Sequence, residues 1–263
     1  MTDVRTPSAP ERPSVPPFVP GGPAGPLGRV CVLDLETAPD RHAAVLAGRR
    51  RGTPRDSILD EVIAASMLTF VEASPGVLEG FDLVSFHRDG YKEVDILLNV
   101  ERELVRVLDE GGTLVTFNGR AFDLPTLRAR QLRWWLCGLD AVPRIAAGEV
   151  DHVDVMLETS LSGAGRWPTL ADACASVGFA LWGPVDARGG PRPPPEVEKC
   201  ERDVVGTAML FLYVIAGRRR SAEPLGRGLP ALGCYLKDVG ARRPHLERFA
   251  LNAMLQGRGA WGA

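Results

Sequence analysis

The chain has no C-x-x-C pair, no marked excess of either charge and no apolar run long enough to span a bilayer. Each absence removes a class of protein. The five cysteines (Cys31, Cys137, Cys174, Cys200 and Cys234) are odd in number and scattered. That argues against a disulfide framework and against a zinc site built on paired thiolates, and it fits reduced core residues of a cytosolic protein. The longest apolar run is AMLFLYVIAG at 208–217, about half of the roughly 20 residues a membrane helix needs. The N-terminal stretch has neither a basic region nor an apolar core of the signal-peptide kind. The expectation is a soluble, cytoplasmic protein with no membrane contact. A net charge of −2 neither favours nor excludes nucleic acid, because binding depends on local patches as well as on the total. No internal repeat is present.

What is there suits one large domain with extensions. The chain has 263 residues, 45% hydrophobic and 24% charged, enough for a sizeable core. Residues 1–28 are dominated by Pro and Gly without periodicity, which predicts a disordered tail. From Arg29 the pattern changes. Residues 29–36 read as a strand buried on both faces, 61–72 as a second strand, and 81–88 as a third, with the turn signal SPG between the last two. A helical spacing covers 93–110 and ends at Gly111 and Gly112. A short strand at 113–118, a helix over 122–136, a fifth strand at 152–156 and a short helix after Thr169 follow, then a loop over 183–195. Residues 196–217 form a long helix with an apolar stripe through Val197, Cys200, Val204, Ala208, Phe211 and Ile215. Further helices are predicted in 221–263. Three antiparallel strands followed by α/β units predict a mixed five-stranded sheet flanked by helices.

The chemistry sits in three stretches. VCVLDLET places Asp34 and Glu36 two residues apart on one face of an apolar strand. Like charges there repel and lose hydration. Either a hard cation such as Mg²⁺ or Mn²⁺ sits between them, or the strand stops at Leu33 and both acids are solvated. TFNGRAFDLPTL places Asp123 where a strand gives way to a helix, and CERDVVGTAMLF places Asp203 beside the apolar stripe. Singly, these are also what a first-turn helix acid and a polar helix face would look like.

In order, the three stretches resemble the three motifs of the DEDD-type 3′–5′ exonucleases, of the ribonuclease H-like superfamily. They are most similar to the branch of predicted exonucleases resembling the proofreading domain of family-B DNA polymerases. HVDV, LADACASVG and RPHLERF also look like that branch, so the resemblance covers about residues 29–255. It implies a ribonuclease H-like exonuclease domain over 29–220, with 221–263 as a C-terminal helical extension packed on it. It implies Asp34, Glu36, Asp123 and Asp203 as ligands of two Mg²⁺ (or Mn²⁺) ions, and hydrolysis of phosphodiester bonds at single-stranded 3′ ends, DNA favoured. Protein partners are not indicated. Asn118 and Phe122 become candidates for shaping the substrate end, with a turn amide and a core aromatic as the other readings. The chain departs from the family at one place. The Tyr or His expected four positions before the last Asp is Lys199, which can only donate hydrogen bonds when protonated. Lys199 is therefore a candidate for a phosphate contact or a pair with Asp203, and not a general base. That departure keeps open a catalytically impaired nucleic-acid-binding module, and a ribonuclease of the same fold is the other alternative. His152 could take over the missing role; His42, His87 and His245 lie outside the motifs. Basic runs at 49–55, 128–133 and 218–220, and Trp134 with Trp135, are candidate nucleic-acid contacts; solvated charge runs are the other reading, the expected one for 218–220, and at least one of the tryptophans is expected in the core.

Overall fold

The computed structural model describes residues 25–49, 57–160, 167–181 and 194–259. The predicted tail up to residue 24, most of the basic run at 49–55 and the loop from 183 to 193 lie outside the described residues. Five strands form one sheet: β1 (Gly28–Pro39), β2 (Asp60–Ser74), β3 (Val77–His87), β4 (Thr113–Thr116) and β5 (Asp151–Asp154). Their order is β3-β2-β1-β4-β5. β1 is antiparallel to β2 and parallel to β4, and β4 is parallel to β5. This is the ribonuclease H-like arrangement that the sequence predicts, with the D-x-E strand at its centre.

The helices are α1 (Arg41–Leu46), α2 (Glu93–Asp109), α3 (Asp123–Arg133), α4 (Ala141–Ala146), α5 (Val155–Thr159), α6 (Leu170–Ser176), α7 (Pro195–Arg219), α8 (Leu229–Gly240) and α9 (Glu247–Gly259). The alternation of β1 splits the core in two. Val30 and Val32 join Leu68, Phe70, Val115 and Val153 on the face covered by α7, α8 and α9. Cys31, Leu33 and Leu35 join Met67, Ile96 and Leu127 on the face covered by α2 and α3. Fully buried leucines on both faces, and phenylalanines on the face covered by α7, α8 and α9, contribute roughly 1.5–3 kcal/mol each. No described helix is long and apolar enough to cross a membrane.

Local chemistry explains most boundaries. Gly76 takes φ +74 in the turn between β2 and β3, a conformation that glycine enters without a Cβ clash. Thr169 caps α6 by accepting from Asp172 N at 3.1 Å, and the Asp172 carboxylate accepts from Thr169 N in return. α7 ends at Arg219, whose guanidinium grips the buried Glu72 with two bonds of 2.6 and 2.7 Å. Burial pushes the Glu72 carboxyl up, but Arg219 and the N–H groups of Gly76 and Leu27 outweigh it and hold it below the usual range.

Three short helices and one helix end differ from the sequence reading. α1, α4 and α5 were not predicted. α1 buries none of its residues and so carries no periodic apolar signal. α3 stops at Arg133 rather than continuing through the tryptophans. Both rings are consequently outside the core: Trp134 is 45% exposed and donates from Nε1 to Glu93, and Trp135 is 87% exposed at φ 59.

Candidate active site

The even-numbered face of β1 continues from Val30 and Val32 to Asp34 and Glu36, so both carboxylates look toward α7. They stand just before the register shift between Glu36 and Thr37. α7 meets them with Asp203 and, one turn earlier, Lys199. One carboxylate oxygen from each of Asp34, Glu36 and Asp203 lies within 4.8 Å of the others. The Lys199 ammonium donates to Glu36 and, at 2.9 Å, to Asp203 Oδ2. The strand therefore does not end at Leu33, and its acids are not simply solvated.

Asp123 opens α3, next to the C-terminal ends of β1 and β4 where parallel sheets build sites. It stands outside the 4.8 Å set, yet its charge raises the Asp34 carboxyl and Glu36 raises that of Asp123. Asp123 is 1% exposed. The structure thus gathers Asp34, Glu36, Asp203 and Lys199 in contact, with Asp123 at electrostatic range.

The energetics of this group are unusual. Burial pushes Asp34 well above the usual carboxylate range, helped by the charges of Asp203 and Asp123, while Lys199 pulls it back. Burial likewise raises Glu36 and Asp203 in spite of Lys199. Asp123 is pushed up to about 8, by burial first and then by Asp154; the N–H groups of Asp123 and Leu35 oppose this. Burial alone would lower the Lys199 pKa, but Asp203, Asp34 and Glu36 more than reverse it, so the ammonium keeps its proton. Asp34 Oδ2, Asp123 Oδ1 and Asp203 Oδ1 are buried with no hydrogen-bond partner among the described residues. Buried acceptors are ordinarily satisfied, because leaving one unpaired costs about 1–3 kcal/mol. Hard carboxylate oxygens of this kind, with Asp34 and Asp203 in one close group and Asp123 nearby, suit a Mg²⁺ or Mn²⁺ ion. The donor set fits that metal class.

The remaining candidates take other places. Asn118 sits at φ 67 in the loop between β4 and α3, a left-handed position that Asn tolerates better than most residues. Phe122 is half-buried against the core face that carries Leu33 and Leu127. Both match the turn-amide and core-aromatic readings. Sequence reasoning did not single out Asp154, which holds this loop: its two oxygens accept from Asn118 N at 2.9 Å and Arg120 N at 3.1 Å. The signal was an acid closing the short strand HVD. His152 is committed to Thr116 Oγ1 at 2.9 Å, and burial and Arg120 depress its pKa to about 4. It is not in the carboxylate group and stays neutral.

Three arginines of the described basic runs are held by acids. Arg130, 3% exposed, pairs with Glu93 and Asp40 at 2.6 and 2.9 Å. Arg218 pairs with Glu158 and Arg219 with Glu72. Arg130 thus departs from the candidate substrate contact of 128–133, and in 218–220, where a solvated charge run is the expectation, Arg218 and Arg219 are held in ion pairs instead.

No protein-family model matches the chain, and no curated protein sequence matches it. Among solved structures it is similar to the family B DNA polymerase of the hyperthermophilic archaeon Pyrobaculum calidifontis, with a TM-score of 0.40 and 14% identity over 80% of this chain and 29% of that one. It is also similar to the zinc-bound complex of Escherichia coli ExoI with single-stranded DNA, with a TM-score of 0.37 and 13% identity over 80% of this chain and 43% of that one. The chain spans less than half the length of either.

Proposed function

We propose that this protein is a divalent-metal-dependent 3′–5′ exonuclease acting on nucleic-acid 3′ ends, DNA before RNA. One observation carries the reading. Three acids from two distant segments, Asp34 and Glu36 on β1 and Asp203 on α7, converge to within 4.8 Å of one another, and Asp34 Oδ2 and Asp203 Oδ1 are buried with no donor among the described residues. A fold has no structural use for such a group, since each member raises the cost of ionising the others.

Asp34, Glu36, Asp203 and Asp123 would hold the ions of the motif family, as anionic ligands fixed by a central strand and two helices. When bound, divalent cations supply a more acidic water and charge neutralisation at the leaving 3′ oxygen. The chain's own residues do the rest. The rigid β1 sets the spacing of Asp34 and Glu36. Asp154 fixes the loop from Asn118 to Arg120 and hence the start of α3 at Asp123. Lys199, held protonated, can donate to a phosphate oxygen but cannot accept a proton from water.

Lys199 also supports a second reading, an impaired nucleic-acid-binding module. One experiment separates the two. A single-stranded oligonucleotide labelled at either end is digested with Mg²⁺, with Mn²⁺ and with EDTA. The expected result is a ladder shortening from the 3′ end with either ion and an intact strand with EDTA. Retention of the strand without cleavage, under any ion, favours the binding module. Cleavage that survives EDTA sinks the metal-dependent reading.

A further inference from the structure

Lys199 places an ammonium against two of the four carboxylates, Glu36 and Asp203, where the motif family would have cations. We propose that its ammonium is a built-in cation that occupies one of two positive positions, so that the free protein takes up a single divalent ion. This rests on the metal-binding reading above and adds to it the number of ions.

The ammonium uses two oxygens, Glu36 Oε1 and Asp203 Oδ2. The oxygens left unpartnered are others: Asp34 Oδ2, Asp203 Oδ1 and Asp123 Oδ1. These five oxygens thus divide into two already neutralised by the ammonium and three that are not. A divalent ion bound through Glu36 Oε1 and Asp203 Oδ2 would sit about 2 Å from each oxygen. Both oxygens already touch Nζ, so that ion and the ammonium would lie in van der Waals conflict with like charges facing. A divalent ion on the unpartnered set meets no such obstacle.

The lysine also has the advantage of attachment. It reaches Asp203 across one turn of the same helix, the i,i+4 spacing that makes side chains neighbours. Its local concentration at the site does not fall when the solution is dilute in metal, as that of a free ion does. With one divalent ion and one ammonium, the four acids retain a single net negative charge. That suffices to hold the ion while leaving room for a substrate phosphate to bring its own charge.

The test counts ions directly and does not depend on turnover. Free Mn²⁺ is followed by electron paramagnetic resonance and by isothermal titration against the full chain, Lys199→Met and Lys199→Gln, with circular dichroism melts confirming that each is folded. The expected stoichiometry is one Mn²⁺ for the wild-type protein and two for the neutral variants. Two ions in the wild-type protein overturn the inference and leave the metal-binding reading intact; this arm stands even if the variants fail to fold. One ion in the folded variants also overturns it, since removing the ammonium then opens no second place. No Mn²⁺ in any of the proteins overturns the metal-binding reading itself.

Discussion

Asp34 works against the stability of the metal-free fold. Its carboxyl is raised by burial and by Asp203 and Asp123, so the folded chain binds a proton more readily than the unfolded chain. Such a group favours folding below its raised pKa and withdraws that support as pH rises through it. At pH above the usual carboxylate range, keeping this group in the metal-free fold is therefore a net cost. Asp34→Asn keeps the shape and removes the charge, and in EDTA it should melt above wild type by at least roughly 2–4 °C, the equivalent of about 1 kcal/mol in a chain of this size. Mn²⁺ should raise the wild-type melting temperature by binding only the folded state and leave the variant almost unmoved. Equal Mn²⁺ shifts in the two proteins, followed by differential scanning fluorimetry, would remove Asp34 from the ligand set. The pair Asp34 and Glu36 was legible because a strand has a period of two, and Lys199 with Asp203 because a helix brings i and i+4 together. The bond from Lys199 to Glu36 spans 163 positions, and local periodicity carries no information about it. Asp154 was missed for the same reason. An acid at a strand end reads as solvated until the loop whose N–H groups it accepts is folded over it.

The element that sets the site is the loop between β4 and α3, because it delivers Asp123. Gly119 lies in it, and an added Cβ would fall 2.3 Å from Thr116 Oγ1 and 2.4 Å from Thr116 Cβ. Thr116 cannot yield easily, being fully buried and bonded to His152. Gly119→Ala must therefore push the loop outward, at the roughly 1–3 kcal/mol typical of overpacking. It should also weaken Mn²⁺ binding by displacing the start of α3. A melt combined with a Mn²⁺ titration checks both parts; an unchanged affinity would mean that Asp123 is not positioned through this loop. At this scale the long elements were readable and the short ones were not. β1, α2 and α7 bury continuous runs or stripes that dominate any window, and Gly111 at φ +59 marks the end of α2 in the sequence as in the structure. α4 and α5 span six and five residues, too few for a 3.6-residue period to repeat twice. The tryptophans failed for a related reason: an apolar residue just past a helix end looks like a continuation of the stripe until the chain turns away.

At the scale of the molecule, the C-terminal segment is part of the core that backs the site. Leu229, Leu232, Leu236, Leu246 and Phe249 lie in the same buried group as Val30, Phe70 and Val204. The amphipathic spacing of these helices was legible; their landing on β3 and α7 was not, because it depends on which face is left open once the sheet has formed. A polar clamp joins the parts. Glu201, two residues before Asp203 on α7, accepts from His245 at 2.8 Å, from Ser85 on β3 at 2.7 Å, and pairs with Arg243 at 2.9 Å. Burial pushes its carboxyl up, but His245, Arg243 and Ser85 together hold it below the usual value of 4.5. The sign follows. A depressed folded-state pKa gives stability that is present above the unfolded pKa and is lost as pH falls through the folded one. Charge-assisted hydrogen bonds contribute roughly 1.5–3 kcal/mol each, so Glu201→Gln should melt several degrees below wild type at neutral pH. As the pH is lowered below about 4.5, the wild-type carboxylate takes up its proton, the clamp weakens, and the two melting temperatures should converge. Thermal melts of both proteins across that range measure the gap. A gap that stays constant into acid would mean that the charge on Glu201 contributes nothing to holding the C-terminal segment against α7.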